Sequence, residues 1–243
     1  AAGADACVVN KEGMCALHFA CQQRRKKIVS ALLNHHADPN KANKDGITPL
    51  IVAIENRNRE IVRILIQQGA SVNSRAQSTS PLMMACGVGS LEIVELLIDA
   101  HANLEEAISP DDGRTPLMVA ASYGHRDIVA ALIQANVVPD KKDSCGQTAL
   151  IYAVDNGQDK VAEVLLRAGA NPELSNKQGN SPLMIACERC SLKVVSVLLR
   201  AGADVNKVNK SNGKSAMTIA LEKNRKKIVQ KLMWFGYKLL GEE

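Results

Sequence analysis

The stretch Thr115-Pro116-Leu117-Met118-Val119-Ala120 is one of seven copies of a short phrase that reads Thr or Ser, Pro or Ala, Leu, two further residues, then Ala, with a single departure in the first and last copies. The closing alanines are Ala20, Ala53, Ala85, Ala120, Ala153, Ala186 and Ala220, at intervals of 33, 32, 35, 33, 33 and 34 residues. A period of this length describes a stack of small supersecondary units. No unit of that size buries its own apolar face, so its neighbours must cover it.

Each copy carries its own punctuation. Thr48-Pro49-Leu50 and Thr115-Pro116-Leu117 predict helix starts, because a hydroxyl caps free backbone N–H groups and Pro fits the first turn without losing a needed donor. Upstream lie turn glycines, Gly13, Gly46, Gly113, Gly146, Gly179 and Gly213, where a left-handed backbone costs little. A second apolar helix follows in every copy. Its predicted buried pairs are Ile28 with Leu32, Ile61 with Leu65, Ile93 with Leu97, Ile128 with Leu132, Val161 with Leu165, Val194 with Leu198 and Ile228 with Leu232.

Thr115-Pro116-Leu117, Gly124-His125, Ile128-Val129 and Gly202-Ala203-Asp204-Val205-Asn206 closely resemble the consensus of ankyrin repeat proteins, and the resemblance covers nearly the whole chain. It implies an all-α repeat fold: a solenoid of helix-turn-helix units with projecting β-hairpin-like fingers. The expected division is residues 1–9 as the remnant of a preceding repeat or a cap, then repeats at 10–42, 43–75, 76–109, 110–142, 143–175, 176–209 and 210–243, in one continuous domain. Ala2-Gly3-Ala4-Asp5 reads as the end of a preceding repeat. At the other end Trp234, Phe235, Gly236 and Tyr237 replace the usual Gly-Ala-Asp ending and are expected to fold back as an aromatic cap.

Composition narrows the function classes. Six residues are aromatic, and the apolar content is mostly Leu, Ile, Val, Ala and Met, which suits closely packed short helices. Of seven cysteines, Cys21, Cys86 and Cys187 each follow the motif alanine, so they read as core thiols rather than a disulfide framework. With no signal-peptide-like run and no transmembrane segment, the expectation is an intracellular protein, cytoplasmic before nuclear.

The sequence offers little for catalysis. Cys187 and Cys190 form a C-x-x-C, but no second ligand pair accompanies them, so no metal is expected. His18 and His125 occupy places the family uses for local hydrogen bonding. His35, His36 and His101 lie near second-helix ends, where a polar or cationic cap is favourable. Gly87-Val88-Gly89 reads as an inter-helix turn rather than a phosphate cradle. The expectation is a non-enzymatic protein without cofactor.

The resemblance implies that a protein or linear peptide binds the concave face, formed by the finger tips and the exposed ends of the first helices. Carried over by position, this gives Met14, Gln22 and Gln23 in repeat one, and Ile47, Glu55 and Asn56 in repeat two. Repeat three contributes Thr79 and Val88, and its finger lacks the Asp-Gly pair. Repeat four gives Asp111, Asp112, Arg114, Ser122 and Tyr123, with Tyr123 and a neighbouring Arg as an anchor or, alternatively, Tyr123 packed on the adjacent helix. Repeats five and six give Gln147 and Asp155, then Asn180, Glu188 and Arg189. The junction from Glu105 to Asp112 accounts for the interval of 35 and reads as an extended acidic finger or a neutral insertion.

The charge balance, 30 basic against 25 acidic residues, opens a second class. Arg24, Arg25, Lys26 and Lys27, with Arg57 and Arg59 beside them, and Arg225, Lys226 and Lys227 fall at inter-helix turns and form candidate sites for nucleic acid or phosphoinositide. A structural spacer is the third reading. Asn206 resembles the asparagine that intracellular hydroxylases modify in this family. The whole reads as a monomeric scaffold or adaptor module within a larger chain.

Overall fold

The computed structural model describes residues 8–76, 79–107, 109, 112–189 and 191–240, without the side chains of 237–240. Fourteen helices follow one another there in seven pairs. They are α1 (Ala16–Gln22) with α2 (Lys26–Asn34), α3 (Pro49–Glu55) with α4 (Arg59–Gln67), and α5 (Pro81–Val88) with α6 (Leu91–Asp99). Next come α7 (Pro116–Tyr123) with α8 (Arg126–Gln134), α9 (Ala149–Asp155) with α10 (Asp159–Arg167), α11 (Pro182–Arg189) with α12 (Leu192–Arg200), and α13 (Ala216–Glu222) with α14 (Lys226–Leu240). The described residues hold no strand, only isolated bridges such as Val9 with Cys15. The all-α repeat fold expected from the sequence is the fold found.

Two compact units divide the chain, Ala1–Ser109 and Pro110–Glu243, and the boundary falls in the long junction before repeat four. In the first, α1 packs on α3 and α3 on α5, while α2 packs on α4 and α4 on α6. In the second, the first helices stack in the order α7, α9, α11, α13 and the second helices in the order α8, α10, α12, α14.

The phrase that sets the period also starts each first helix. Thr48, Ser80, Thr115 and Thr148 accept hydrogen bonds from the backbone N–H groups of Ile51, Met83, Met118 and Ile151 at 3.3–3.4 Å, each worth about 1 kcal/mol. In repeat one Cys15 stands at this position and His18 takes over: its Nδ1 accepts from the Cys15 N–H at 3.2 Å. The phrase's Leu and Ala go into the core, with Leu17, Leu50, Leu150, Ala53, Ala120 and Ala186 inaccessible to solvent.

Six of the seven predicted second-helix pairs are buried, from Ile61 with Leu65 to Ile228 with Leu232. Burying such a side chain stabilises by roughly 1.5–3 kcal/mol. Ile28 with Leu32 is the correction. Ile28 is 51% exposed, and α2 buries Val29 and Leu33 instead. Within their compact units α4, α6, α10, α12 and α14 each pack on the second helix of the preceding repeat, whereas among the described residues no second helix precedes α2.

The finger turns explain the uneven intervals. In repeats one, two, five and six an Asn or Asp three residues before the glycine accepts two backbone N–H groups of its own finger, as Asn43 does from Asp45 and Ile47 at 2.9 and 2.8 Å. Repeat three has Ala76 there and closes one residue tighter, with Ala76 and Thr79 exchanging backbone hydrogen bonds at 3.1 and 2.8 Å. Repeat seven is one residue longer, closing from Asn209 to Lys214.

The C-terminal expectation is also corrected. In α4, α10 and α12 the helix stops at a left-handed Gly69, Gly169 or Gly202, followed by a buried Ala70, Ala170 or Ala203. His36, His101 and Asn136 take the same left-handed position after α2, α6 and α8, so His36 and His101 stand in the left-handed turns that cap these helices. At the equivalent place α14 runs straight on for 15 residues in all. Gly236 is not left-handed, and Tyr237 stands in sequence where a small buried Ala would close the turn. Trp234 therefore continues an exposed helix rather than folding back over it.

Candidate protein-binding face

The fingers are locked to one another by backbone hydrogen bonds. Lys44 N–H donates to the Glu12 carbonyl at 3.0 Å in the first unit; Ser144 donates to Asp112 and Lys177 to Cys145, each at 2.9 Å, in the second. This sets finger tips of consecutive repeats side by side, with the C-terminal ends of the first helices beside them.

In the second unit these elements enclose a cavity of ≈ 400 Å³ between repeats five and six. Five predicted residues line it together: Gln147, Asp155, Asn180, Glu188 and Arg189. Asp155 on α9 and Arg189 on α11 form a salt bridge of 2.7 Å across the repeat boundary, while Glu188 remains exposed beside it. Asn180 accepts from the Asn209 amide at 2.7 Å. The remaining lining is mixed, with Ile185 supplying an apolar wall and Lys177 a cation. Ile185 lay outside the predicted set; its place one turn before Arg189 on the same helix was the available signal.

In repeat four the expected anchor residues each contact a side chain of their own repeat. Arg114 is held by Asp112 in a two-pronged contact, Nε to Oδ1 at 3.0 Å and Nη2 to Oδ2 at 2.9 Å. That pairing raises its pKa further. Close by, the Tyr152 hydroxyl donates to Asp143 at 2.7 Å. Burial first, then that bond, pushes the phenol well above its usual range. Tyr123 is 64% exposed and stacks on His125, with ring centroids 6.1 Å apart. Arg114 thus contacts Asp112 and Tyr123 contacts His125. Ser122 accepts from Asn156 of the next repeat at 3.3 Å, and Asp111 lies outside the described residues.

In the first unit Met14, Ile47, Asn56, Thr79 and Val88 are half-buried, and Gln22, Gln23 and Glu55 are exposed. His18 is fully buried and joins repeats one and two, its Nε2 meeting the Ile47 carbonyl at 2.9 Å. The junction before repeat four is held near its start by Arg75, which pairs with Glu106 at 2.5 Å and donates to the Ala107 carbonyl at 3.3 Å.

The basic turns are only partly free. Glu60 receives Lys26 at 3.1 Å and Arg63 at 2.6 Å. Those bonds, from Arg63 first, hold its carboxyl below the usual range. Arg24 donates to the Asn56 carbonyl. Arg25, Lys27, Arg57 and Arg59 are exposed and have no partner among the described residues. Arg225, Lys226 and Lys227 are likewise exposed, in the second unit.

Asn206 is exposed, and its N–H donates to Asp204 at 2.8 Å. Its counterparts in earlier repeats brace the next repeat: Asn40 accepts from Ser71 N–H at 2.7 Å, Asn73 from Asn103 N–H at 2.8 Å, and Asp140 from Asn171 N–H at 3.0 Å. Cys21, Cys86 and Cys187 are buried. Cys190 lies outside the described residues. Among the described residues no group of three His, Cys, Asp or Glu is placed to hold a metal ion, and no helix is long and apolar enough to cross a membrane.

Paired helices, locked fingers and a mixed cleft define a repeat protein of the interaction-module class. A family model for ankyrin repeats matches residues 2–76, 82–176, 132–209 and 168–239, and the chain belongs to that family. It is similar to human ankyrin repeat and SOCS box protein 3, 46% identical over 115 residues, which are 46% of this chain and 22% of that protein. It is also similar to protein fem-1 homolog A of Bos taurus, 37% identical over 81 residues, 33% of this chain and 12% of the relative. The chain thus spans less than a quarter of these relatives. The crystal structure of the human ASB11 ankyrin repeat domain superposes with a TM-score of 0.80 at 24% identity, covering 91% of this chain and 98% of that one.

Proposed function

We propose that this chain is a non-enzymatic interaction module, a scaffold or adaptor, that holds an extended segment of another protein on its finger and first-helix face. The observation that carries the reading is the cleft between repeats five and six. It combines an apolar wall at Ile185, an exposed carboxylate at Glu188 and a salt-bridged pair, Asp155 with Arg189. Such a mixture offers a peptide backbone and alternating side chains both hydrogen bonds and apolar contact. The work is intracellular, most simply cytoplasmic, in a setting that keeps buried thiols reduced. Asn206, exposed on its turn, is a proposed hydroxylation site.

The test is cross-linked capture from nuclease-treated lysate with the native chain, with Glu188→Ala plus Arg189→Ala, and with Tyr123→Ala. Proteins lost with the cleft variant identify the partner; equal recovery by all three chains would refute the reading. A second reading, polyanion binding, is favoured by the four unpartnered cations Arg25, Lys27, Arg57 and Arg59. It requires retention on heparin that falls steeply with salt and disappears when those four are neutralised.

A further inference from the structure

A second surface lies away from the fingers, on the second helices of repeats six and seven. There α12 and α14 enclose a cleft of ≈ 480 Å³ lined by Leu192 and Ser196 on one side and Lys227, Gln230, Lys231 and Trp234 on the other. The lining contains two cations and no carboxylate. Neither helix has an acidic residue anywhere in its sequence, whereas α4, α6, α8 and α10 each carry one in the first turn. The contrast with the neighbouring cleft is chemical. Between α10 and α12 a cavity of ≈ 310 Å³ also has two arginines, but Arg167 is paired with Glu163 at 2.7 Å and Arg200 donates to the Ser196 carbonyl at 3.2 Å.

One face of α14 forms a wall of this cleft. Lys227, Lys231 and Trp234 follow at i, i+4 and i+7, so one helix face presents two ammonium groups a turn apart and then an indole. Trp234 is 56% exposed and Leu192 37% exposed. The Lys231 ammonium lies 5.5 Å from the indole centroid and 5.4 Å from the Phe235 ring, which keeps the cation over the aromatic end of the cleft.

We infer that the α12–α14 cleft docks an acidic amphipathic helix of a partner protein, its apolar anchor seated between Leu192 and Trp234 and its carboxylates on Lys227 and Lys231. Charge complementarity selects this occupant. The helix-in-groove arrangement needs an apolar trough with side chains spaced by helical turns, and both walls supply that spacing. A lipid surface is a poorer fit to a concave site, and single-stranded nucleic acid stacks on successive aromatics, where the lining has one.

Trp234 is the chain's only tryptophan, so the site reports on itself. The probe is a fluorescein-labelled, glutamate-rich amphipathic peptide with leucines along one face, titrated into the 243-residue chain. Expected are a blue shift of the Trp234 emission and saturable anisotropy. Binding should weaken by roughly thirtyfold with Trp234→Ala, and by about tenfold with Lys227→Glu plus Lys231→Glu. Both variants alter exposed side chains, and unchanged helical circular dichroism verifies their fold. A peptide with lysine in place of glutamate should fail to bind, while the Glu188→Ala, Arg189→Ala cleft variant should bind as the native chain does. Saturation unaffected by the lysine reversals overturns the proposal. So does an emission shift produced by phosphatidylserine vesicles or oligo-dT in the absence of any shift with the peptide.

Discussion

Replacing His18 with alanine tests how repeats one and two are joined. The ring lies between two backbone groups of opposite kind: the Cys15 N–H faces Nδ1 at 3.2 Å and the Ile47 carbonyl faces Nε2 at 2.9 Å. One is only a donor and the other only an acceptor, so the neutral tautomer with its proton on Nε2 satisfies both. His18→Ala strips the buried Cys15 N–H of its partner, at about 1–3 kcal/mol, takes one of two donors from the Ile47 carbonyl, which keeps the Asn43 N–H at 2.9 Å, and leaves a hole the size of an imidazole. The expected loss is about 3 kcal/mol, part of it recovered by whatever collapse the site allows. The same geometry makes the native chain sensitive to acid. Burial lowers the His18 pKa from 6.5, against a smaller opposing effect of the Ile47 bond. The unfolded chain therefore takes up a proton that the folded chain refuses. The contribution is present in full above about pH 6.5 and is lost as pH falls from there through the lowered folded value, with a slope of up to about 1.4 kcal/mol per pH unit. Urea denaturation followed by circular dichroism between pH 5 and 8 reads both effects. A variant within about 0.5 kcal/mol of native, or one that keeps the native slope below pH 6.5, would refute the account.

Two glycines with the same backbone sign should respond differently to alanine. Gly157 (φ +69°) has open space around the added Cβ and should lose about 1–2 kcal/mol from the left-handed backbone alone; at Gly146 (φ +73°) the Cβ would sit 2.9 Å from Lys177 N, on the bond that joins two fingers, and the loss should be about twice as large by urea melts. Gly236→Ala should raise stability by about 0.5–1 kcal/mol, because the residue sits within a helix in open space; a loss would mean the left-handed turn forms after all. Alkylation mapped by mass spectrometry should modify exposed Cys145 at least about tenfold faster than Cys21, whose thiol is pushed up to about 12 by burial, or Cys86, which burial raises further. Hydrogen exchange should find the repeat-three finger least protected in its unit, since Ala76 supplies none of the side-chain bonds that Asn10 and Asn43 give to their own fingers; equal protection across the three fingers would contradict this.

The sequence by itself determined the repeat, its register and most of its core. A hydroxyl before Pro-Leu, a turn glycine and an Ile or Val four residues before Leu each act within a few residues, so they are legible without knowing what lies across the fold. Gln147, Asp155, Asn180, Glu188 and Arg189 are placed on one face by the resemblance to the family, carried over position by position. Tertiary structure decided what depends on neighbours. Ile28 matches its counterparts in sequence yet stays exposed, because burial is set by whether a helix lies against it. Arg114 reads as an available cation until Asp112 takes both prongs of its guanidinium, and Lys26 and Arg63 lose their free charge to Glu60 in the same way. At the end of α14 a glycine in the right place does not make a turn, since the turn also requires a small residue to fill the slot beyond it. Local rules fix which residues repeat; the partners each copy finds in space decide which side chains remain free to bind.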